Sequence, residues 1–115
     1  MTAKYSYNPR DAKFLLKEWL PLADILQYER YQELSLDDID GLLEQMNRMV
    51  AKVIAPTNDD GEINHPRLVN GRVVGPPTWK DVYVYLQQQG WGTGNFDRHA
   101  AGTLPEVVYA ALAEM

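Results

Sequence analysis

A regular alternation of apolar and polar positions between residues 35 and 56 is the longest pattern in the chain. Apolar residues return there every three or four positions, at Leu36, Ile39, Leu43, Met46, Val50 and Val53. This spacing is typical of one face of an α-helix. The sequence therefore predicts an amphipathic helix of roughly twenty residues, about 30 Å long, against whose apolar face the shorter helices pack.

The predicted long helix has recognisable ends. Ser35 is a favourable N-cap residue, and Asp38, three residues later, completes a shortened capping box. Pro56 is predicted to end the helix because it has no N–H to donate and its ring clashes with the preceding turn. Residues 57–62 are rich in Asn, Asp and Gly, and we expect a solvent-exposed turn there.

Shorter helical patterns lie on both sides of the long helix. They predict helices at residues 9–20, 22–26, 79–89 and 105–115. In the third of these helices we expect four side chains to face inward: Trp79, Val82, Tyr83 and Leu86. Gly90 follows that helix in the position where glycine ends helices.

The Asn70-Gly71 pair stands between two short runs that contain β-branched residues, 67–69 and 72–74. This arrangement is the strongest short sequence signal for a β-hairpin, because a type I′ turn needs positive φ at both central positions. We therefore predict an all-α fold: one small helical domain over residues 1–115, with a short β-hairpin or turn excursion around residues 67–74.

Composition excludes several classes of function. The net charge is −5 and no run of Lys or Arg occurs, which argues against a nucleic-acid partner. The absence of cysteine excludes disulfides, thiolate catalysis and Cys-ligated zinc, and it suits a cytoplasmic protein. We also predict no transmembrane segment, because no apolar run approaches the roughly twenty residues that span a bilayer.

The residues that could carry chemistry do not form a recognisable catalytic or metal-binding pattern. Asn58, Asp60 and Glu62 alternate as in a calcium loop, but the required Gly and distal Glu are misplaced, which favours a solvated turn. His65 and His99 lack the spacing of zinc ligands. The glycine-rich run 90–94 lacks the Lys and Ser/Thr of a phosphate-binding loop. We predict no catalytic residue and no metal site.

Three stretches nevertheless carry a family resemblance when they are taken together. Residues 54–61 end a helix in Ala-Pro-Thr-Asn, residues 69–77 lead from Asn-Gly to Pro-Pro, and residues 90–92 read Gly-Trp-Gly. Their order and spacing resemble the N-terminal helical domain of acyl-CoA dehydrogenases, most closely the long bacterial branch. The similarity extends over nearly the whole chain, from Tyr5 to Met115.

The resemblance implies a three-part enzyme of which this chain matches only the first part. Family members are similar in having an N-terminal helical domain, a middle β-domain and a C-terminal helical bundle. FAD is held mainly by the later two parts, and the glutamate base that removes the α-proton belongs to the third. We therefore expect the chain alone to bind no cofactor, while the full-length family uses FAD.

The segment before the last helix departs from the family pattern. The family usually has Tyr-Gly-Gly-x-Gly-Leu-Pro there, whereas residues 99–105 keep only the Leu-Pro step. That loop normally approaches the acyl or flavin pocket. The resemblance therefore suggests four residues as candidates for lining a substrate pocket or a domain interface: Phe96, His99, Leu104 and Tyr109. Simple packing is the alternative for each.

Two functions from different classes follow. The first is an N-terminal domain or fragment of a flavin-dependent acyl-CoA dehydrogenase that supplies one wall of the acyl site and part of a subunit interface. The alternative is a free-standing, non-catalytic helical interaction module or small subunit derived from that domain. The last helix is still apolar at Met115. We therefore expect it to continue in a longer protein, or to be covered by a partner chain or a second copy in a homo-oligomer.

Overall fold

A computed structural model describes residues 4–91 and 103–115. Its elements, in chain order, are α1 (Arg10–Phe14), α2 (Leu22–Ile25), α3 (Leu36–Met49), α4 (Thr57–Ile63), β1 (Arg67–Val69), β2 (Arg72–Val74), α5 (Pro77–Gln88) and α6 (Glu106–Glu114). Two π-helical segments, Leu15–Trp19 and Val50–Ile54, follow α1 and α3, and a short 3-10 helix spans Glu29–Tyr31. The prediction of a mostly helical fold with a small hairpin is confirmed.

The described residues divide into two compact units. The first, here called the helical unit, comprises residues 7–48 and 103–115, and the second, the hairpin unit, comprises residues 4–6 and 49–91. The prediction of a single domain over residues 1–115 stays a prediction. No helix in the described ranges is both long enough and apolar enough to cross a bilayer.

The helical unit has an apolar core to which several of its helices contribute. The buried apolar residues there are Ala12, Leu16, Leu22, Leu26, Ile39, Leu43, Val108 and Leu112. Ile39 and Leu43 belong to the predicted stripe and are 1% and 0% exposed. The helical periodicity therefore identified the buried face of α3 correctly.

The start of α3 has the predicted cap. Ser35 Oγ accepts a hydrogen bond from the Asp38 N–H at 3.1 Å, and Asp38 Oδ2 accepts one from the Ser35 N–H at 2.8 Å. Each side chain thus satisfies a backbone donor that the first turn of a helix leaves without an intrahelical partner. The backbone hydrogen bond from Ser35, followed by the side-chain hydrogen bond to Ser35, lowers the pKa of Asp38.

The predicted end of the long helix is wrong. The α-helical hydrogen bonding stops at Met49, a π-helical segment follows, and Pro56 keeps helical dihedrals (φ −61°, ψ −22°) immediately before α4. Proline is tolerated there because the first residues of a helix need no intrahelical N–H donor. The turn predicted at residues 57–62 is also wrong, because Thr57–Ile63 form α4.

The hairpin is present as predicted. β1 and β2 pair in antiparallel register, with Arg67 opposite Val74, Leu68 opposite Val73 and Val69 opposite Arg72. Asn70 and Gly71 have φ of 49° and 75°, the positive values that a type I′ turn requires.

The apolar face predicted for α5 is only partly covered. Val82 and Leu86 are half-buried, and the ring of Trp79 lies against α4 at Gly61 although the residue is 45% exposed; Tyr83 is 64% exposed, and its predicted inward orientation is wrong. The hairpin unit has few other apolar residues on which these rings could pack, since Met49 and Val50 are its only buried apolar side chains besides Pro76 in the described part. Gly90, with φ of 79°, follows α5 in the predicted C-terminal position.

Candidate functional site

Two of the four candidate residues lie at the entrance to α6, and the other two, Phe96 and His99, lie outside the described residues. Leu104 and Tyr109 are both half-buried, and the Leu104 N–H donates a hydrogen bond of 3.4 Å to Tyr109 Oη. The side chain of Tyr109 therefore reaches back one helical turn and fixes the backbone that precedes Pro105.

The residues around this hydrogen bond are firmly packed. Thr103 is 9% exposed, Pro105 is among the fully buried side chains, and Val108 and Leu112 anchor α6 in the core of the helical unit. A backbone segment held in this way presents residue 104 in a defined position. The arrangement can position an apolar contact, but it brings no acid, base or nucleophile to Leu104.

The far end of α6 is tied to the start of the helical unit. Tyr7 Oη donates a hydrogen bond to Glu114 Oε2 at 3.1 Å. Asn47 Nδ2 donates to the backbone carbonyl of Tyr7 at 3.2 Å. The segment at residue 7 thus links the last turns of α3 and α6, which fixes both ends of α6 within this unit.

Two ion pairs join α1 and its π-helical continuation to α3. Lys13 pairs with Glu44 at 2.5 Å, and Lys17 pairs with Asp40. The partners are four residues apart on each helix and run in opposite order, so the two helices pack antiparallel. The second carboxylate oxygen of Asp40 is buried and accepts no hydrogen bond from any residue that the structure describes.

In the hairpin unit, a polar cluster around Asp60 joins α4 to α5. Asp60 Oδ2 accepts hydrogen bonds from Thr78 Oγ1 at 2.5 Å and from the Thr78 N–H at 3.1 Å, and Oδ1 accepts one from Asn64 Nδ2 at 2.6 Å. The Thr78 hydroxyl, then Asn64, then the Thr78 amide lower the pKa of Asp60. The acceptor for the Thr78 N–H, in the first turn of α5, is therefore a carboxylate of the neighbouring helix α4, and a pattern confined to α5 does not reveal such a contact.

The contact beside this cluster depends on a glycine. A Cβ at Gly61 would lie 3.0 Å from Trp79 Cζ2, so the ring of Trp79 approaches α4 where a side chain would stand in its way. Such close approach is a common reason for glycine within a helix. Asp60, Gly61, Thr78 and Trp79 together form the joint between α4 and α5.

Trp91 was not among the sequence candidates, although it belongs to the Gly-Trp-Gly motif. Its indole N–H is buried and donates to no partner within the described part of the chain. A buried donor of this kind normally has a partner, because leaving it unpaired costs about 1–3 kcal/mol. The sequence feature that could have identified Trp91 is its position directly after a glycine that ends a helix.

Neither a metal ion nor a flavin has a matching set of side chains among the described residues. No group of three or more His, Asp or Glu side chains in residues 4–91 and 103–115 is placed to hold a metal. The buried side-chain atoms without partners there are Asp40 Oδ1 and Trp91 Nε1. The pyrophosphate of a flavin dinucleotide calls for several converging N–H donors or cations. One acceptor and one indole donor do not fit it.

The described part of the chain is mostly helical, and its polar contacts join one helix or segment to another without bringing catalytic side chains together. Nearly the whole chain is similar to curated acyl-CoA dehydrogenases. Two butyryl-CoA dehydrogenases of Syntrophomonas wolfei are 32% identical over 115 residues, and a 3-methylmercaptopropionyl-CoA dehydrogenase of Ruegeria pomeroyi is 32% identical over 112 residues. Each match covers 96% of this chain.

The chain spans only 19% of the length of each of these relatives. No protein-family model matches the chain, and no solved structure matches it. The resemblance to the acyl-CoA dehydrogenase family is confirmed, and the chain corresponds to a fragment of such enzymes.

Proposed function

We propose that the chain is the N-terminal helical domain of a flavin-dependent acyl-CoA dehydrogenase and that it is not catalytic alone. The observation that carries this proposal is the similarity of 96% of the chain to a fifth of each of three such enzymes. In this proposal the remaining polypeptide binds FAD and supplies the catalytic base, as the family resemblance implies. A cytoplasmic location and a role in fatty-acid metabolism belong to the same proposal.

The domain would contribute one wall of the acyl site through the segment that enters α6. The hydrogen bond from the Leu104 N–H to Tyr109 Oη and the burial of Pro105 support this role, because they hold Leu104 in a fixed position. Phe96 and His99, which precede this segment in the chain, remain candidates for the same wall. The domain would also take part in a subunit interface.

A chimera tests the proposal. The segment of Syntrophomonas wolfei butyryl-CoA dehydrogenase that matches this chain would be replaced by residues 1–115, with the enzyme lacking that segment as the control. We expect the chimera to hold FAD, to oxidise acyl-CoA, and to differ from the parent enzyme in its preference among acyl-chain lengths. A Leu104→Ala chimera should change that preference more than a Leu68→Ala chimera, because residue 68 belongs to the hairpin and not to the proposed wall.

A chimera that folds and holds FAD but turns over no acyl-CoA of any chain length would contradict the proposal. A separate measurement addresses the chain by itself, whose absorbance spectrum after incubation with FAD and desalting should show no flavin. One stoichiometric FAD on the purified chain would show that a flavin site exists within these 115 residues.

One observation favours the second function, a non-catalytic interaction module or small subunit derived from the domain. The hairpin unit leaves large apolar side chains exposed, among them Leu68, Val73 and Tyr83 at 75%, 76% and 64%. Surfaces of this kind mark contacts with other polypeptides. An inactive chimera, together with a discrete assembly formed by the chain alone, would favour this second function.

A further inference from the structure

The tip of the hairpin consists of Asn70 and Gly71, which join two strands of three residues each. Both residues are exposed. Apart from its neighbours in the chain, nothing lies within 4 Å of a Cβ placed on Gly71. Solvent therefore reaches both the side-chain amide of Asn70 and the backbone nitrogen of Gly71.

Neither of these two groups forms a hydrogen bond with a described residue. Val69 and Arg72 are the pair that closes the ladder, so the two turn residues between them donate nothing to it. No other hydrogen bond of Asn70 or Gly71 occurs in the described part of the chain. The Gly71 nitrogen is consequently available to attack the amide carbon beside it once it has lost its proton.

The other asparagines that the structure describes are held in ways that oppose such an attack. Asn8 precedes a proline, whose nitrogen carries no hydrogen to lose. Asn47 and Asn64 each donate their side-chain amide to another residue. Asn58 lies within α4, where helical geometry fixes the backbone that follows it. Among the described asparagines, Asn70 is the one with a free side-chain amide next to a glycine.

We propose that Asn70 is a site of spontaneous deamidation that yields isoaspartate. The deprotonated nitrogen of Gly71 bonds to Cγ of Asn70, and the side-chain nitrogen takes up a proton and leaves as ammonia. The product is a five-membered succinimide ring. Water then opens the ring at Cγ, which gives aspartate, or at the backbone carbonyl carbon, which gives isoaspartate. Water is the only co-reactant, and no atom changes its oxidation state.

The conformation of the turn favours closure of this ring. A succinimide fixes ψ of its own residue at about −120°, the value at the first central position of a type II′ turn. That turn also needs positive φ at this position, and Asn70 already has φ of 49°. Rotation of the peptide plane between the two turn residues therefore brings the nitrogen into place. Gly71 permits the rotation because glycine adopts either sign of φ.

Isoaspartate is expected to disrupt the hairpin. Its main chain runs through Cβ and Cγ, which adds a methylene to a loop of two residues. The lengthened loop no longer fits the register that sets Val69 opposite Arg72. The contact across the strands between Leu68 and Val73 should be lost with that register, and these two exposed side chains then no longer form one surface.

Peptide mapping of the purified 115-residue chain tests the site. The chain is aged in mildly alkaline buffer and digested with trypsin, which releases residues 68–72 as one peptide and residues 53–67 as another. Chromatography with mass spectrometry separates the asparagine, aspartate and isoaspartate forms of each peptide, and a fresh sample digested in parallel corrects for reaction during digestion.

We expect the peptide of residues 68–72 to convert mainly to isoaspartate, at a rate that rises with pH as more of the Gly71 nitrogen is deprotonated. The peptide of residues 53–67 contains Asn58 and Asn64 and is the internal control. Its conversion should be at least about tenfold slower, because Asn64 must first release its hydrogen bond to Asp60.

Asn70→Gly provides a matched variant, because Gly-Gly also suits a type I′ turn and carries no amide. Leu68 and Val73 form the pair next to the one that closes the loop, so their Hα atoms are close enough for a nuclear Overhauser effect. This signal should fade in the aged wild-type chain in proportion to isoaspartate and persist in the aged Asn70→Gly chain.

Four results would each overturn the proposal. They are an unmodified Asn70 in the folded chain after the urea-unfolded chain has converted, aspartate without isoaspartate, conversion of Asn58 or Asn64 as fast as that of Asn70, and an unchanged signal between Leu68 and Val73 in a fully converted chain. The inference does not depend on the proposed function, so the result of the chimera leaves it untouched.

Discussion

The two units differ in how completely they bury their apolar side chains. In the helical unit Leu22 and Leu43 are both 0% exposed, whereas in the hairpin unit Leu68 is 75% exposed. The same type of side chain thus contributes to a core in one unit and lies on the surface in the other. Because fully burying a leucine is worth about 1.5–3 kcal/mol, apolar burial stabilises the helical unit far more than the hairpin unit.

The hairpin unit relies on local and polar contacts instead. Its elements are held by the hydrogen bonds of Asp60 with Thr78, by the approach of Trp79 to Gly61, and by the type I′ turn at Asn70-Gly71. A two-stranded hairpin alone is marginally stable in water. The described residues of this unit thus leave large apolar side chains exposed, with Leu68 and Val73 among them.

The largest expected difference in the free energy of unfolding is between two leucine-to-alanine substitutions, one in each unit. Leu43→Ala should reduce the free energy of unfolding by about 2–5 kcal/mol, because it leaves a cavity in the core of the helical unit. Leu68→Ala should change it by no more than about 0.5 kcal/mol, because an exposed side chain loses little on truncation. Urea unfolding followed by circular dichroism, at concentrations where the chain is monomeric, measures both.

Equal destabilisation by the two leucine substitutions would contradict the comparison, since it would mean that residue 68 is buried within the monomer. Leu22→Ala provides a second core position and should behave as Leu43→Ala does. A shallower dependence of the unfolding free energy on urea in either variant would instead indicate a change in the unfolded chain.

The sequence predicted best those features that depend on neighbouring residues. The buried face of α3 follows from a period of three to four residues, the cap from Ser35 and Asp38, and the hairpin from Asn70-Gly71. The helix at residues 57–63 was missed because Pro56 and the Asn- and Gly-rich run are strong breaking signals. That helix is stabilised by hydrogen bonds between Asp60 and Thr78, which are 18 residues apart. A pattern of neighbouring residues does not predict such a contact.

The candidate site was predictable only in part. Leu104 and Tyr109 were chosen from a resemblance, and their hydrogen bond joins residues five apart, which a propensity argument does not anticipate. The ion pairs of Lys13 and Lys17 with α3 were missed because both lysines fall on the polar side of their own helix. Which polar residue meets which depends on the packing of two helices, and periodicity within one helix does not contain that information.

The next effect in size concerns the cap at the start of α3. Ser35→Ala removes the acceptor of the Asp38 N–H and should lower the free energy of unfolding by about 1 kcal/mol. Ser6→Ala, the other serine in the chain, is the matched control. Equal stability of Ser35→Ala and wild type would mean that water satisfies the first turn of α3 as well as the hydroxyl does.

Two helical glycines offer a smaller effect that differs between α3 and α4. Gly41→Ala should stabilise the chain by about 0.5–1 kcal/mol, since alanine is the better helix former and nothing lies within 4 Å of the added Cβ. Gly61→Ala should bring no such gain, because its Cβ would lie 3.0 Å from the ring of Trp79. Thermal unfolding of both variants measures the difference.

If Gly61→Ala stabilises the chain, the ring of Trp79, which is 45% exposed, must move aside at no cost in free energy. That result would contradict the claim that Trp79 packs tightly against α4. The double variant Gly61→Ala with Trp79→Ala separates the gain from helix propensity from the cost of the close contact with the ring. Without the ring, the alanine at residue 61 should recover the gain that its helix propensity provides.

The smallest effect is a dependence of stability on pH, to which each unit contributes one carboxylate. Hydrogen bonds to Thr78 lower the pKa of Asp60, and those to Ser35 lower the pKa of Asp38, in both cases below the value of 3.8 for a free aspartate. The unfolded chain therefore binds protons at higher pH than the folded one. Both contributions are present above about pH 4 and are lost as the pH falls through the lowered values.

Urea midpoints between about pH 2.5 and 6 measure this dependence. Asp60→Asn should flatten the acid limb more than Asp38→Asn, because the Asp60 carboxylate accepts hydrogen bonds from Asn64 Nδ2, the Thr78 N–H and Thr78 Oγ1, whereas the Asp38 carboxylate accepts one from the Ser35 N–H. Comparing the two variants shows which unit has the stronger polar contact. A larger change of the acid limb in Asp38→Asn would mean that the cap of α3 is stronger than the joint between α4 and α5. An acid limb of unchanged slope in Asp60→Asn would show that Thr78 and Asn64 bind the neutral side chain as well as the carboxylate, and the joint between α4 and α5 would then contribute no pH dependence to stability.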